Sequence, residues 1–181
     1  MPRFPDPRAF LFGLALALTI PSLALAQGGA PRPRAVFVVI DSAGQRIGQL
    51  TGSEAGGNAV FEIVVRGLAP GKHGLHLHAT PACDPPGFTS AGGHFNPGSR
   101  QHGAKNPQGP HAGDLGNLTV TPDSVGRGQV TVPGWGLAPA GPNSLSAPGT
   151  ALVIHAAADD EQTDPTGNSG ARIACAVITL P

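Results

Sequence analysis

The sequence predicts an all-β domain, an antiparallel sandwich or barrel of eight short strands. Short β-branched or alternating runs are separated by clusters of Gly, Pro, Asn and Asp, the pattern of many-stranded antiparallel folds. Nowhere do apolar residues keep a 3.6-residue period for three turns, so no helix is predicted. The chain has 181 residues and is 40% hydrophobic but only 4% aromatic. That is enough for one domain with a core, and the core must be built from Val, Ile, Leu and Ala.

The first predicted strand is Ala35 to Ile40, a β-branched run closed by the turn Asp41-Ser42-Ala43-Gly44. Arg46 to Leu50 is a weaker second strand. Gly56-Gly57-Asn58 turns into the third, Ala59 to Val65, where the polar Glu62 marks one wet face. Leu68-Ala69-Pro70-Gly71 leads into the fourth, Leu75-His76-Leu77-His78. Residues 79–113 are rich in Gly, Pro, Asn and His and have no apolar face. A loop of that length is usually functional. Strands resume at Leu115 to Thr121 and Gly128 to Val132. Pro133 to Gly149 is irregular and holds Trp135, expected to plug a loop. Ala151 to His155 is the seventh strand. A polar loop from Asp159 to Gly170 precedes the eighth, Arg172 to Leu180.

The N-terminus reads as a secretory signal over residues 1–26. Arg3 and Arg8 precede the apolar run Ala9 to Ile20, which is too short to span a bilayer. Ala24-Leu25-Ala26 is the small-x-small pattern for cleavage after Ala26. The expected product is periplasmic or secreted, with no membrane attachment after cleavage. It has a lead-in at 27–34 and one domain at 35–181. Arg3, Arg8 and Asp6 leave with the signal, so nine basic and ten acidic side chains remain. No basic run or arginine–aromatic interleaving suggests nucleic acid. In an exported chain the two cysteines, Cys83 and Cys175, read as a disulfide, with two buried thiols as the alternative.

Alternate strand residues point to opposite faces. His76 and His78 therefore share one face, and Leu75 and Leu77 share the other with His73, expected to be a hydrogen-bonded core histidine. Downstream, His94-x7-His102-x8-His111-x2-Asp114 offers three imidazoles and a carboxylate, a full tetrahedral zinc shell. His76, His78, His94 and His155 offer four nitrogens, which suits Cu(II). His94 belongs to both sets.

With these residues the chain resembles the copper/zinc superoxide dismutase family, bacterial exported type. The resemblance rests on His73-Gly74-Leu75-His76-Leu77-His78, Ala91-Gly92-Gly93-His94-Phe95-Asn96-Pro97 and His111-Ala112-Gly113-Asp114-Leu115-Gly116-Asn117. It continues through Val153-Ile154-His155, Asp159-Asp160 and Gly167-Asn168 to Gly170-Ala171-Arg172-Ile173-Ala174-Cys175. It implies an eight-stranded Greek-key barrel that converts superoxide to oxygen and hydrogen peroxide, protecting the cell envelope, with one copper and one zinc per chain. His76, His78 and His155 would hold copper. His94 would bridge the metals as an imidazolate and carry a proton. His102, His111 and Asp114 would complete the zinc shell. Asp159 would link a copper ligand to a zinc ligand. Cys83–Cys175 would be the family disulfide, and Arg172 would hold the superoxide anion. A homodimer is one open assembly.

Animal members carry a steering lysine in the second loop. Gln162-Thr163-Asp164-Pro165 lacks it, which makes Lys105 the candidate substitute. Two other functions stay open from the sequence. One is a metal-sequestering module without turnover, which would not need Arg172. The other is a zinc hydrolase, disfavoured by four protein ligands with no open position.

Overall fold

The computed structural model describes Met1, residues 34–141 and residues 143–181. The expected signal sequence, Met1 aside, and nearly all of the expected lead-in fall outside the described residues. Eight strands form a closed antiparallel barrel. They are β1 (Ala35–Asp41), β2 (Arg46–Ala55), β3 (Asn58–Arg66), β4 (Gly71–His78), β5 (Asp114–Val120), β6 (Val125–Val132), β7 (Thr150–His155) and β8 (Arg172–Ile178). Their order around the barrel is β1-β2-β3-β6-β5-β4-β7-β8. Both β3-β6-β5-β4 and β6-β5-β4-β7 are Greek keys, each a three-strand meander with a fourth strand returned beside its far edge. The only helical turn among the described residues is a single 3₁₀ turn, Thr89–Ala91, in the long loop.

Local chemistry closes the hairpins. Asp41 Oδ1 accepts from the backbone N–H of Ala43 and of Gln45 at 2.9 and 2.8 Å, fixing the β1–β2 turn. Ala55 pairs with Asn58 across Gly56 and Gly57, both at positive φ, the backbone that a two-residue hairpin turn requires. Along β3 burial alternates strictly: Ala59, Phe61, Ile63 and Val65 face the core while Glu62 faces out. Leu75 and Leu77 join that core from β4. A second, smaller cluster of Phe88, Ala91, Ala151, Val153 and Cys175 lies apart from it. Its members come from β7, β8 and the long loop, so the loop is packed onto the outside of the barrel.

Several strands run further than expected. β2 continues past Leu50 through Thr51-Gly52-Ser53-Glu54-Ala55, which has no apolar period of its own. Gly52 is paired on both edges, with Ala35 on one side and Phe61 on the other, and Ser53–Ala55 stay paired to β3. β4 starts at Gly71 and β6 at Val125, each held there by pairing on one edge, Gly71 opposing Val120 and Val125 opposing Arg66. β8 ends at Ile178, two residues early. Trp135 is half-buried and meets Phe95 edge-on, with ring centroids 4.6 Å apart. No helix among the described residues is long and apolar enough to cross a membrane.

Candidate metal centre

Both rings of His76 and His78 are fully buried, on the face of β4 opposite Leu75 and Leu77. The long loop returns along β4. Phe95 N–H donates to Leu77 O, Leu77 N–H to Gly113 O, and Gly113 N–H to Phe95 O, each at 2.8–2.9 Å. A side chain at Gly113 would sit 2.5 Å from Leu77 O, so only glycine permits this approach. Thus His94 pairs with His78 as an isolated bridge, and His111 is carried in beside it. His155 arrives at the end of β7, next to a bulge against β8.

Four donor atoms, one each from His76, His78, His94 and His155, lie within 4.8 Å of one another. His76 Nδ1, His78 Nε2, His94 Nε2 and His155 Nε2 are buried without a hydrogen-bond partner. Their opposite nitrogens are anchored. His78 Nδ1 donates to Gly92 O at 2.9 Å, His155 Nδ1 to Gly170 O at 3.1 Å, and His76 Nε2 to Asp159 Oδ2 at 2.8 Å. Each anchor fixes a tautomer and aims the other nitrogen inward. Buried polar atoms are rarely left alone. Four that converge make a metal site.

A second set meets at Asp114 Oδ1. His94 Nδ1 lies 3.0 Å from that oxygen and His111 Nδ1 3.1 Å. His102 Nδ1 is also 3.1 Å away, but without hydrogen-bond geometry. His111 Nδ1 and His94 Nδ1 are 3.3 Å apart. A tetrahedral zinc shell with ligands at 2.0–2.1 Å has edges of about 3.3–3.4 Å, so these spacings fit. His76 also lies near this group. Its Nε2 is engaged by Asp159, however, and its Nδ1 belongs to the first set, whereas His111 contacts Asp114 directly. A zinc held by all four donors of the second set would have no open position for hydrolysis.

The electrostatics suit cations. Burial pushes His78 down to about 3, and His94 and His155 to about 4, each from 6.5. All three are therefore neutral near pH 7, the form that ligates metal. Burial works to raise Asp114, but the His94 hydrogen bond and the backbone N–H groups of Gly103 and His111 hold it well below the usual carboxylate range. Asp159 is likewise held down, against burial, by its hydrogen bonds with His76 and His102.

A family model described as Copper/zinc superoxide dismutase (SODC) matches residues 47–178. The chain belongs to the copper/zinc superoxide dismutase family. With the family come its reaction, the dismutation of superoxide, and its two metals, copper and zinc. The chain is 41% identical over 175 residues to "Superoxide dismutase [Cu-Zn]" of Deinococcus radiodurans, covering 90% of this chain and 92% of that protein. It is 40% identical over 142 residues to "Superoxide dismutase [Cu-Zn] 1" of Aquifex aeolicus, covering 77% and 84%. Among solved structures, a SOD-like protein from Bacillus subtilis superposes with a TM-score of 0.76 at 35% identity, covering 81% of this chain and 99% of that one.

The other predicted site residues of this family member gather around the two sets. Asp159 accepts from His76 Nε2 through Oδ2 and, at 3.0 Å, from His102 Nε2 through Oδ1, so one carboxylate joins the two sets. Asp160 instead faces solvent and holds its own loop through Thr163, Gln162 and Asn168. Cys83 and Cys175 are disulfide-bonded, with Cα atoms 5.8 Å apart. Arg172 Nη1 donates to Phe88 O at 2.8 Å and Nη2 to Gly92 O at 2.7 Å, both in the loop that the disulfide ties down. His73 is buried between His155 O and Ala69 O, at 2.7 and 2.8 Å, as a core histidine. Lys105 reaches the second loop, its Nζ 3.3 Å from Asp160 O and 3.8 Å from Glu161 Oε2. Part of its charge is thereby compensated.

Sequence reasoning missed the backbone oxygens of Gly92 and Gly170, which orient two of the rings. No sequence signal marks them, because every residue carries a backbone carbonyl.

Proposed function

We propose that this chain dismutates superoxide with copper in the His76–His78–His94–His155 set and zinc in the His94–His102–His111–Asp114 set. The observation that carries the assignment is two convergent, buried donor sets sharing His94: Nε2 in the first and Nδ1 in the second. Bound there, copper supplies a metal that takes an electron from one superoxide and returns it to another, beside a zinc with no redox states.

The chain's own residues do the rest. Arg172, a half-buried cation on the rim of the first set, attracts the superoxide anion and holds it. Burial in the second loop keeps Asp159 between His76 and His102, so neither ring can turn. The net reaction consumes two protons per peroxide formed. His94 Nε2 is the nitrogen placed to hold one of them at the substrate position, and solvent supplies the other. Because Nδ1 of the same ring is committed to the second set, the basicity of Nε2 is coupled to that set.

The chain is exported by a signal at 1–26, cleaved after Ala26, and protects the cell envelope, as a monomer or a homodimer. The domain at 35–181 then acts behind the lead-in at 27–34. N-terminal sequencing of the exported protein checks the cleavage site. The central test is metal analysis of the chain beginning at Gln27, combined with a superoxide assay. One copper and one zinc per chain are expected, with activity lost when copper is removed and regained when it is restored. Activity that survives copper removal would sink the proposal.

A further inference from the structure

We propose that Asn117 is a positioning residue that seats Asp159, and so sets the spacing between the two donor sets. This rests on the two-metal reading. Asn117 lies on β5, three residues beyond Asp114. Its Oδ1 accepts from Asp159 N–H at 2.8 Å, and its Nδ2 donates to Asp159 O at 2.9 Å. The side-chain amide thus closes on the main chain of Asp159 as a neighbouring strand would. Only a planar group holding both a donor and an acceptor can do this.

The opposite side of the seat is a missing side chain. Gly74 on β4 pairs with Asn117. A Cβ at Gly74 would lie 2.7 Å from Ser169 Cβ, 3.3 Å from His76 Cε1 and 3.4 Å from Asp159 Cβ. The second loop lies flat on the sheet at that gap, with Gly74 N–H donating to Ala157 O at 2.8 Å.

The geometry has a consequence for both metals. The Asp159 carboxylate spans His76 Nε2 and His102 Nε2, and its main chain is bound to the barrel through Asn117. From Asp114 to Asn117, β5 carries a bulge in which three of its steps oppose the two from His76 to Gly74 on β4. One rigid element, β5, therefore positions the Asp114 donor at its start and the anchor of the Asp159 bridge a fixed step later. Without the Asn117 amide, the carboxylate can tilt and the two rings it joins lose their common reference.

The test uses Asn117→Ala and Asn117→Asp in the metal-loaded chain beginning at Gln27. Asn117→Asp keeps the acceptor for Asp159 N–H but sets a carboxylate against Asp159 O. Both should release zinc to a chelator about tenfold faster or more, the scale seen when partners of metal ligands are removed. With Co(II) in place of zinc, both should shift the visible spectrum, which reads ligand geometry directly. A merely structural role would lower thermal stability but leave the spectrum of the folded protein unmoved. If the Asn117 variants do not fold, Gly74→Ala lifts the loop from the other side and should give the same two changes. Wild-type zinc release and an unchanged cobalt spectrum in a folded Asn117 variant, or in Gly74→Ala where that stands in, would overturn the seat. A wild-type chain that takes up neither metal would instead overturn the two-metal reading on which it rests.

Discussion

His78 and Arg172 share one acceptor. The carbonyl oxygen of Gly92 receives His78 Nδ1 at 2.9 Å and Arg172 Nη2 at 2.7 Å. A ring of the first donor set and the cation at its rim, 94 positions apart in sequence, are thus aimed from a single backbone atom.

Arg172→Ala should slow superoxide removal by roughly one to two orders of magnitude, the range over which local charge focuses an anionic substrate. Arg172→Lys should recover part of the rate but not both hydrogen bonds, since an ammonium lacks the planar fork. Metal content should stay at the wild-type level. Pulse radiolysis at several ionic strengths checks this. An unchanged rate and salt dependence would remove the anion-holding role.

Gly92→Ala should damage both partners at once. Gly92 has φ +74 and ψ −154, a region open almost only to glycine, so the strain should cost about 1–3 kcal/mol. A Cβ there would also meet Thr80 Oγ1 at 2.9 Å. Urea unfolding measures the stability loss, and the Cu(II) paramagnetic spectrum should report a changed His78 environment.

Cys83→Ser should destabilise the chain strongly. The bridge spans a sequence separation of 92, and closing a loop of that size is worth about 4–5 kcal/mol in the chain-entropy account. It should also free the loop that carries Phe88 O and Gly92 O, so activity should fall even where the protein remains folded. Denaturant midpoints and activity on the same samples test the two effects.

Metal-free protein should lose stability on acidification in a defined window. His78, His94 and His155 are lower when folded, at about 3, 4 and 4, than the 6.5 expected unfolded. The unfolded chain therefore binds protons first. The stabilising contribution is complete above about pH 6.5 and is lost as pH falls through the folded values. Asp114 and Asp159, both held below the ordinary carboxylate range, extend the loss under about pH 4. Thermal midpoints of the metal-free protein from pH 8 to 3 should decline across this range. A midpoint that stays flat between pH 6.5 and 4 would contradict the burial of these rings.

The donor residues were legible early because strand parity is local. His76 and His78 had to share a face once β4 was a strand, and Leu75 and Leu77 had to face the core. The pairing of the two cysteines followed from their number. Less legible were the partners that orient the rings. Gly92 O, Gly170 O and the Asn117 amide carry no periodic or compositional mark, because a backbone carbonyl is present at every residue. Strand ends were missed at Thr51–Ala55 and Gly71–Gly74, where ladder pairing, to β3 along the first and to β5 along the second, overrides a weak local preference.

The sequence by itself determined the strand order along the chain, the inward and outward faces of β4, and the chemical identity of both donor sets. These depend on residue type and short-range periodicity. Only the tertiary structure decided that three imidazoles crowd a single oxygen of Asp114, that the two oxygens of Asp159 divide between His76 and His102, and that Arg172 and His78 hang from one carbonyl. Those relations join residues tens of positions apart, and the close approach of glycine backbones at Gly74, Gly92 and Gly113 is what brings them together.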